Sequence, residues 1–247
     1  MDALTISAAS GLRSRMDSLE MLANNLANAT TGGFKTDREF YSLYSSPEAE
    51  DPSAAVTTGT LPVVQKRWTD FSQGLLLPTG NQLDFALQGK GFFVAQSSSG
   101  PVYTRNGNFR LAGGGQLVTA EGYPLQLTNG RKLQVDPAQP LVVSTDGTLM
   151  QDGQSLGTLQ IVNFAEPSAL SKLGNNYFQN PDPKIKPGAA PAIEVHQSKL
   201  EGSNVSVAES AVRLVGIMRQ FEMLQKAISL ATDMNRSAVE EVAKVGS

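Results

Sequence analysis

The chain is predicted to be α+β, with terminal N- and C-helices forming a coiled-coil-like pair and an all-β domain inserted between them. Three observations predict this. A 3-4-3-4 spacing runs without a break from Val207 to Val245, a second one runs through the first thirty residues, and the chain between them is rich in glycine turns and short β-branched or aromatic runs.

The C-terminal spacing is the stronger signal. Val207, Ser210, Leu214, Ile217, Phe221, Leu224, Ile228, Ala231, Asn235, Ala238, Val242 and Val245 follow one another at steps of three or four residues. Such steps hold one narrow seam on the same side of a helix, narrower than the stripe of an ordinary surface helix. At 1.5 Å per residue the helix would be roughly 58 Å long. A helix of that length with a narrow seam needs a partner along all of it. Asn235 interrupts the seam, either as part of a fraying end or as a buried polar residue that fixes register at some cost in stability.

The other end of the chain offers a partner. No proline interrupts Met1 to Ala29, and Thr5, Ala9, Leu12, Met16, Leu19, Ala23, Leu26 and Thr30 repeat the alternation. Leu12, Leu19 and Leu26 are the anchors, and the positions between them are mostly small. The two helices are therefore expected to pair, the alternative being that each packs separately on a globular core.

Gly32-Gly33 is expected to stop the first helix. Phe34 to Tyr44 carries four aromatic residues, and Ser45 to Thr60 then turns to Ser, Pro, Glu, Ala and Thr, which reads as an exposed linker. From about Gln65 the signal is β. Phe92-Phe93-Val94, Tyr103, Leu117-Val118-Thr119, Leu141-Val142-Val143 and Leu159 to Val162 read as strands. Asn106-Gly107, Asp146-Gly147 and Asp152-Gly153 read as tight turns, the first of them as a hairpin. The expected organisation is an N-terminal helix over 1–30, a linker and extended connector over 31–80, a central β-rich domain over 81–199 and a C-terminal helix over 200–247. A segment from about Gln65 to Lys199 is expected to fold by itself.

With 247 residues the chain holds one good-sized core, or a modest domain plus extended elements. A net charge of -3 gives no electrostatic case for nucleic acid. No apolar run is long enough to span a bilayer, so no membrane insertion is expected, and the first residues lack the basic and apolar regions of a cleaved signal peptide. With no cysteine, disulfides and thiolate metal sites are excluded.

No catalytic, cofactor-binding or metal-ligating residue is marked. His196 is the single histidine, with Glu194 nearby, and reads as structural. Gln88-Gly89-Lys90-Gly91 lacks the spacing and the Ser or Thr of a phosphate loop, and a hairpin turn explains it better. Gly113-Gly114-Gly115 reads as a loop, and Asp146-Gly147 lacks the other ligands of a calcium loop.

Several blocks carry a family resemblance. Leu22-Ala23-Asn24-Asn25-Leu26-Ala27-Asn28, with Thr31, Gly33-Phe34-Lys35 and Arg38, resembles the N-terminal signature of flagellar rod and hook proteins. Phe71-Ser72-Gln73-Gly74, Thr79-Gly80-Asn81, Leu83-Asp84, Ala86 and Gln88 to Phe93, continuing through Tyr103 to Gly107 and Leu117 to Thr119, resembles their central domain. Leu200-Glu201-Gly202-Ser203-Asn204-Val205 is similar to the approach to their C-terminal helix. Three blocks in the right order span nearly the whole chain, with the resemblance closest to basal-body rod proteins of the proximal or distal type.

The resemblance implies a structural subunit of the bacterial flagellar basal-body rod, polymerising helically through its terminal helices into a torque-transmitting shaft. It implies no enzyme activity and no cofactor. The implied partners are further copies, other rod and hook subunits and the flagellar export apparatus. The implied place is the periplasm-spanning rod, reached without a cleaved signal peptide. The subunit interface is expected at Leu12, Leu19, Asn24, Asn25, Leu26, Asn28, Leu214, Ile217, Phe221, Leu224, Ile228 and Asn235. Within it the asparagines either belong to a fraying helix end or present amides to a neighbouring subunit. The short stretch from Ser45 to Lys66 favours the proximal type over a distal rod or hook subunit. The competing readings are a carbohydrate- or cell-wall-binding β module on a helical stalk and a cell-wall hydrolase. The first calls for exposed aromatic platforms, whereas the one tryptophan, Trp68, precedes the β domain. The second calls for paired carboxylates that no motif marks.

Overall fold

The computed structural model describes residues 3–44, 61–130, 133–174, 176–190 and 193–245. The expected linker from Ser45 to Thr60 lies outside them. The fold is α+β, with one N-terminal helix, one C-terminal helix and a β-rich region between them. The chain divides into two compact units: residues 1–27, 37–68 and 206–247 form a helical unit, and residues 28–36 and 69–205 form a β unit.

The helical unit holds α1 (Ala3–Ala27), a two-stranded sheet of β1 (Asp37–Tyr44) and β2 (Leu61–Thr69), and α2 (Val207–Val245). The start of α2 is set by Ser206, whose Oγ accepts the Glu209 amide at 3.3 Å. Ser206 and Glu209 stand at the spacing of a capping box, and the acidic residue sits favourably in the first turn. Two pairs one turn apart, Glu209 with Arg213 at 2.9 Å and Arg236 with Glu240 at 3.1 Å, lie on the exposed surface of α2. Each adds a few tenths of a kcal/mol at most. The first helix ends at Ala27, before the Gly32-Gly33 pair expected to stop it.

The β unit contains β3 (Leu76–Pro78), β4 (Phe85–Gln88), β5 (Phe92–Ser97), β6 (Gly100–Thr104), β7 (Phe109–Ala112), β8 (Gln116–Thr119), β9 (Val142–Val143) and β10 (Thr148–Gln151). It continues with β11 (Gln154–Thr158), β12 (Ile161–Asn163), β13 (Ser171–Gly174), β14 (Tyr177–Gln179), β15 (Gly188–Ala189), β16 (Glu194–Gln197) and β17 (Lys199–Glu201). The largest sheet runs β13-β14-β6-β5-β12-β15, and every pair in it is antiparallel.

Alternation along β5 supplies two cores. Phe93 and Ala95 point to one face, into a cluster with Phe85, Leu87, Phe109, Leu117, Leu149 and Val195. Phe92 and Val94 point to the other, against Tyr103, Phe164 and Phe178. A strand buried on both sides reads as a continuous apolar run, which is why Phe92-Phe93-Val94 stands out in the sequence. The second cluster is aromatic, with Phe92 and Phe178 centroids 5.8 Å apart and Tyr103 and Phe164 at 4.9 Å.

The turns divide sharply. Asp152-Gly153 joins β10 to β11 as a two-residue hairpin with φ of 50° and 73°, the left-handed pair that such a turn requires. Asp146-Gly147 lies between the paired strands β9 and β10. Asn106-Gly107 is not a hairpin, because β6 pairs with β5 and β14 while β7 pairs with β8. Gln88 to Gly91 is not one either, since β4 pairs with β16 and not with β5. Both are corners where the chain changes sheet. Gly107 is needed there for close approach: its carbonyl accepts the Phe85 amide at 3.0 Å, and a Cβ on it would lie 1.5 Å from Phe85 O. Gly107→Ala is therefore expected to destabilise the β unit by about 1–3 kcal/mol, the ordinary range for overpacking. The check is a urea unfolding midpoint, and an unchanged midpoint would show that this corner relaxes freely.

Candidate functional site

Two arrangements carry functional weight, one in each unit. The first is the surface of the helices. On α2 the expected row is the inward one: Ser210 is buried, and Leu214, Ile217, Phe221, Leu224, Ile228 and Ala231 are half-buried. Every other described side chain of α2 is exposed, Val207 included. The side chains of Asn235, Ala238, Val242 and Val245 lie outside the described residues, as does that of Thr5.

On α1 the inward row is not the expected one. Gly11, Ser14, Ser18, Met21, Leu22 and Asn25 are buried, whereas Leu12, Leu19 and Leu26 are half-buried and Ala9, Met16, Ala23 and Thr30 are exposed. The reason is that Gly11, Ser18 and Asn25 find partners, whereas the Ser14 hydroxyl is buried with no hydrogen-bond partner among the described residues. Gly11 faces α2, where a Cβ on it would meet Leu224 Cδ1 at 3.5 Å. Ser18 Oγ lies 2.9 Å from Ser14 O and 3.0 Å from Glu39 Oε2. Asn25 donates from Nδ2 to Asp37 O at 2.9 Å and accepts the Asp37 amide on Oδ1 at 3.0 Å. Of the three asparagines, Asn25 thus turns inward, Asn24 is exposed on α1, and Asn28, just past the helix, is half-buried with Oδ1 accepting from Thr31 Oγ1 at 3.2 Å.

The face of α2 opposite the inward row is apolar too. Val212, Met223, Leu230 and Met234 are 75%, 61%, 63% and 69% exposed. At 100° per residue they fall within about 40° of one another, with Gly216 and Ala227 beside them. No such second row was picked out in the sequence, although its spacing of three, four and seven residues is legible there.

The second arrangement is a buried ion cluster in the β unit. Glu201 accepts Lys35 Nζ on Oε1 at 2.6 Å and Arg105 Nη1 on Oε2 at 3.2 Å. The side chains of Lys35 and Glu201 are 0% exposed and that of Arg105 is 4% exposed. Two cations thus share one carboxylate, and the surplus charge is spread over backbone carbonyls. Lys35 Nζ also donates to Ser72 O at 2.7 Å, and Arg105 donates from Nη1 to Leu87 O at 3.4 Å and from Nη2 to Gly89 O at 2.5 Å. Glu201 Oε1 takes the Gly74 amide as well, at 2.9 Å. Burial pulls the pKa of both Lys35 and Arg105 below their ordinary values, and Glu201 opposes that shift in each.

Around the cluster the backbone is stitched by Asn204. Its Oδ1 accepts from the amide of Thr36 at 2.8 Å and from Thr36 Oγ1 at 2.7 Å, and its Nδ2 donates to Asp70 O at 2.8 Å and Ser72 O at 3.1 Å. Gly33, with φ of 70°, donates its amide to Glu201 O at 2.7 Å and comes so close to Asn106 that a Cβ would lie 2.4 Å from that backbone nitrogen. The motif blocks around Lys35, Ser72, Arg105 and Glu201 therefore meet at one point. Sequence reading picked out neither Arg105 nor Glu201. The available signal was a charged residue within two positions of a glycine in each separate block. Lys35 and Glu201 also lie outside the segment from Gln65 to Lys199, so that segment holds Arg105 without its carboxylate.

Elsewhere the chemistry is sparse. His196 sits on β16 with Nε2 2.9 Å from Gln88 Oε1 and 3.5 Å from Glu194 Oε2. Among the described residues no group of three or more His, Asp or Glu side chains gathers to hold a metal ion, and no helix is long and apolar enough to cross a membrane.

Comparison with known proteins accounts for this pattern. Residues 86–151 match the family described as Flagellar hook protein FlgE/F/G D1 domain. Residues 196–241 match the one described as Flagellar basal body rod FlgEFG protein C-terminal. The chain is 33% identical to the flagellar basal-body rod protein FlgF of Caulobacter vibrioides, over 92% of each chain. It is 32% identical to the flagellar basal-body rod protein FlgG of Buchnera aphidicola, over 92% of this chain and 95% of that one. With the FlgG protein of Bacillus subtilis it shares 29% identity over 94% of this chain and 96% of the other.

Asn25→Ala removes both bonds to Asp37, so the helical unit is expected to lose about 1–3 kcal/mol. Thermal unfolding of dilute protein followed by circular dichroism reads this. A loss seen in assembly but not in the dilute chain would place the Asn25 amide at an intermolecular contact instead.

Proposed function

We propose a mechanical working for this chain, which belongs to the family of flagellar basal-body rod proteins. It is a structural protein of the flagellar basal body and not an enzyme, and its family assembles with other rod and hook subunits. The reading that follows concerns how it does so.

The subunit polymerises helically through its terminal helices, which pair as a coiled coil within each chain and pack on those of neighbours. The observation that carries this is the second apolar face of α2. One row, from Ser210 to Ala231, is turned inward, while Val212, Met223, Leu230 and Met234 stay open. Leaving such a face in water forgoes roughly 25 cal/mol per Å² of apolar surface, a cost recovered when another helix covers it. Repeated head-to-tail contacts of this kind, with a rotation that does not close into a ring, build a helical filament. A filament held along long helices resists torque because many subunits share the load.

The contact residues proposed are Leu12, Leu19, Asn24, Leu26, Asn28, Leu214, Ile217, Phe221, Leu224, Ile228 and Asn235, with the open α2 face added to them. Asn25 acts by holding α1 to the first strand. We further propose that the chain passes through the flagellar export apparatus, binds no nucleic acid and inserts in no membrane, and that it is of the proximal type.

Charge placed on each α2 face separates the two roles. Leu230→Asp is expected to leave the free subunit folded, costing no more than the roughly 0.5 kcal/mol helix propensity difference, and to abolish assembly. Phe221→Asp is expected to block assembly and also to loosen α2 in the free subunit. Electron microscopy of concentrated protein, with circular dichroism of the dilute chain, reads both. Tubes formed as readily by Leu230→Asp as by the unaltered protein would remove the open face from the mechanism.

A further inference from the structure

The three charges of the β unit arrive in the chain in a fixed order. Lys35 comes first and Glu201 last, with separations of 166 residues from Lys35 to Glu201 and 96 from Arg105 to Glu201. A chain complete to Lys199 already contains every residue of both cores, since the last of them is Val195. Yet it directs two cations into one buried site that lacks its carboxylate, with Asp70 acting on Lys35 more weakly than Glu201 does. Like charges out of water repel, and loss of the Lys35 proton would still leave the permanent charge of Arg105 buried without a carboxylate against it.

The piece that resolves this is short. β17 pairs with β3, Gly202 donates its amide to Leu75 O at 2.8 Å, and Gly33 donates to Glu201 O at 2.7 Å. Glu201 Oε1 takes the Gly74 amide, and the Asn204 amide group reaches Thr36, Asp70 and Ser72. Residues 199–204 thus bring the compensating charge and bind both 33–36 and 70–75 in one step.

We propose that Glu201 is a closing latch. The β unit stays open until the Glu201 carboxylate enters between Lys35 and Arg105, so a chain delivered N-terminus first keeps this unit unpacked until residue 201 is free. The device prevents an incomplete chain from closing on itself. It stands independently of how subunits later join.

Refolding of the full-length chain tests the latch. After dilution from denaturant, amides are pulse-labelled by hydrogen exchange at increasing times. Amides of β5 and β6 are expected to gain protection in the same phase as those of Gly74 and Gly202. Protection of β5 and β6 in an earlier phase would overturn the proposal. Glu201→Gln keeps the shape and removes the charge. It is expected either to slow this phase about tenfold or more and raise the protease-cleavable fraction roughly 100-fold, or to prevent closure altogether. Closure at the unaltered rate would overturn the proposal. A fully neutral cluster, Lys35→Met with Arg105→Met and Glu201→Leu, is expected to close faster than Glu201→Gln. A neutral cluster that closes no faster shows that shape rather than charge governs the step, and overturns it equally.

Discussion

The contact on which the β unit depends is the Glu201 carboxylate held between Lys35 and Arg105. Burying ions is expensive, and the attraction between them offsets the cost only when geometry is good and the remaining donors are satisfied. Here they are: Ser72, Leu87 and Gly89 supply carbonyls to the two cations, and Gly74 supplies an amide to the carboxylate. Replacing the cluster with apolar groups of equal volume need not weaken such a unit, whereas removing one member leaves a charge stranded. What the cluster supplies is uniqueness. It accepts one arrangement of the segments around residues 35, 72, 105 and 201 and penalises the others.

The helices follow a different logic. α2 makes little directional contact along its length, with no described side chain beyond Ser210 fully buried and an apolar row left open on the far side. Its short-range ion pairs are exposed and contribute little. Apolar contact is non-directional and grows with area. A face of this kind gains from every neighbour that covers it, and a lone chain gains from few of them.

The α+β class was legible because glycine turns and short β-branched runs separate two helical stretches, and the inward row of α2 because apolar residues at helical spacing turn inward. On α1 the same rule misplaced the row. Leu12, Leu19 and Leu26 looked like anchors, but Gly11 permits contact with α2 while Ser18 and Asn25 hold partners on the first strand, and neither property shows in hydropathy. Asp152-Gly153 was legible as a hairpin because the left-handed requirement is local. Asn106-Gly107 misled because its glycine answers to Phe85, a residue on another strand. The ion cluster was the least legible feature of all. Its members lie 96 and 166 residues apart, and each motif block records its own part without recording where the others are.

These two logics suit one task divided in two. A structural subunit of a flagellar rod must keep its own shape and must also join others. Buried charges with directional bonds serve the first, since any slip of register separates an ion from its partner. Long apolar helix faces serve the second, since they tolerate small adjustments between copies and their total grows with the number of contacts. Exchanging the roles would fail on both counts. An assembly joined by buried charges would need each ion desolvated at every new contact, with a large penalty for imperfect docking. A β unit held by apolar contact alone would lack the term that rejects partial closure. Charge is therefore placed where a single geometry is wanted, and apolar surface where many equivalent contacts must add.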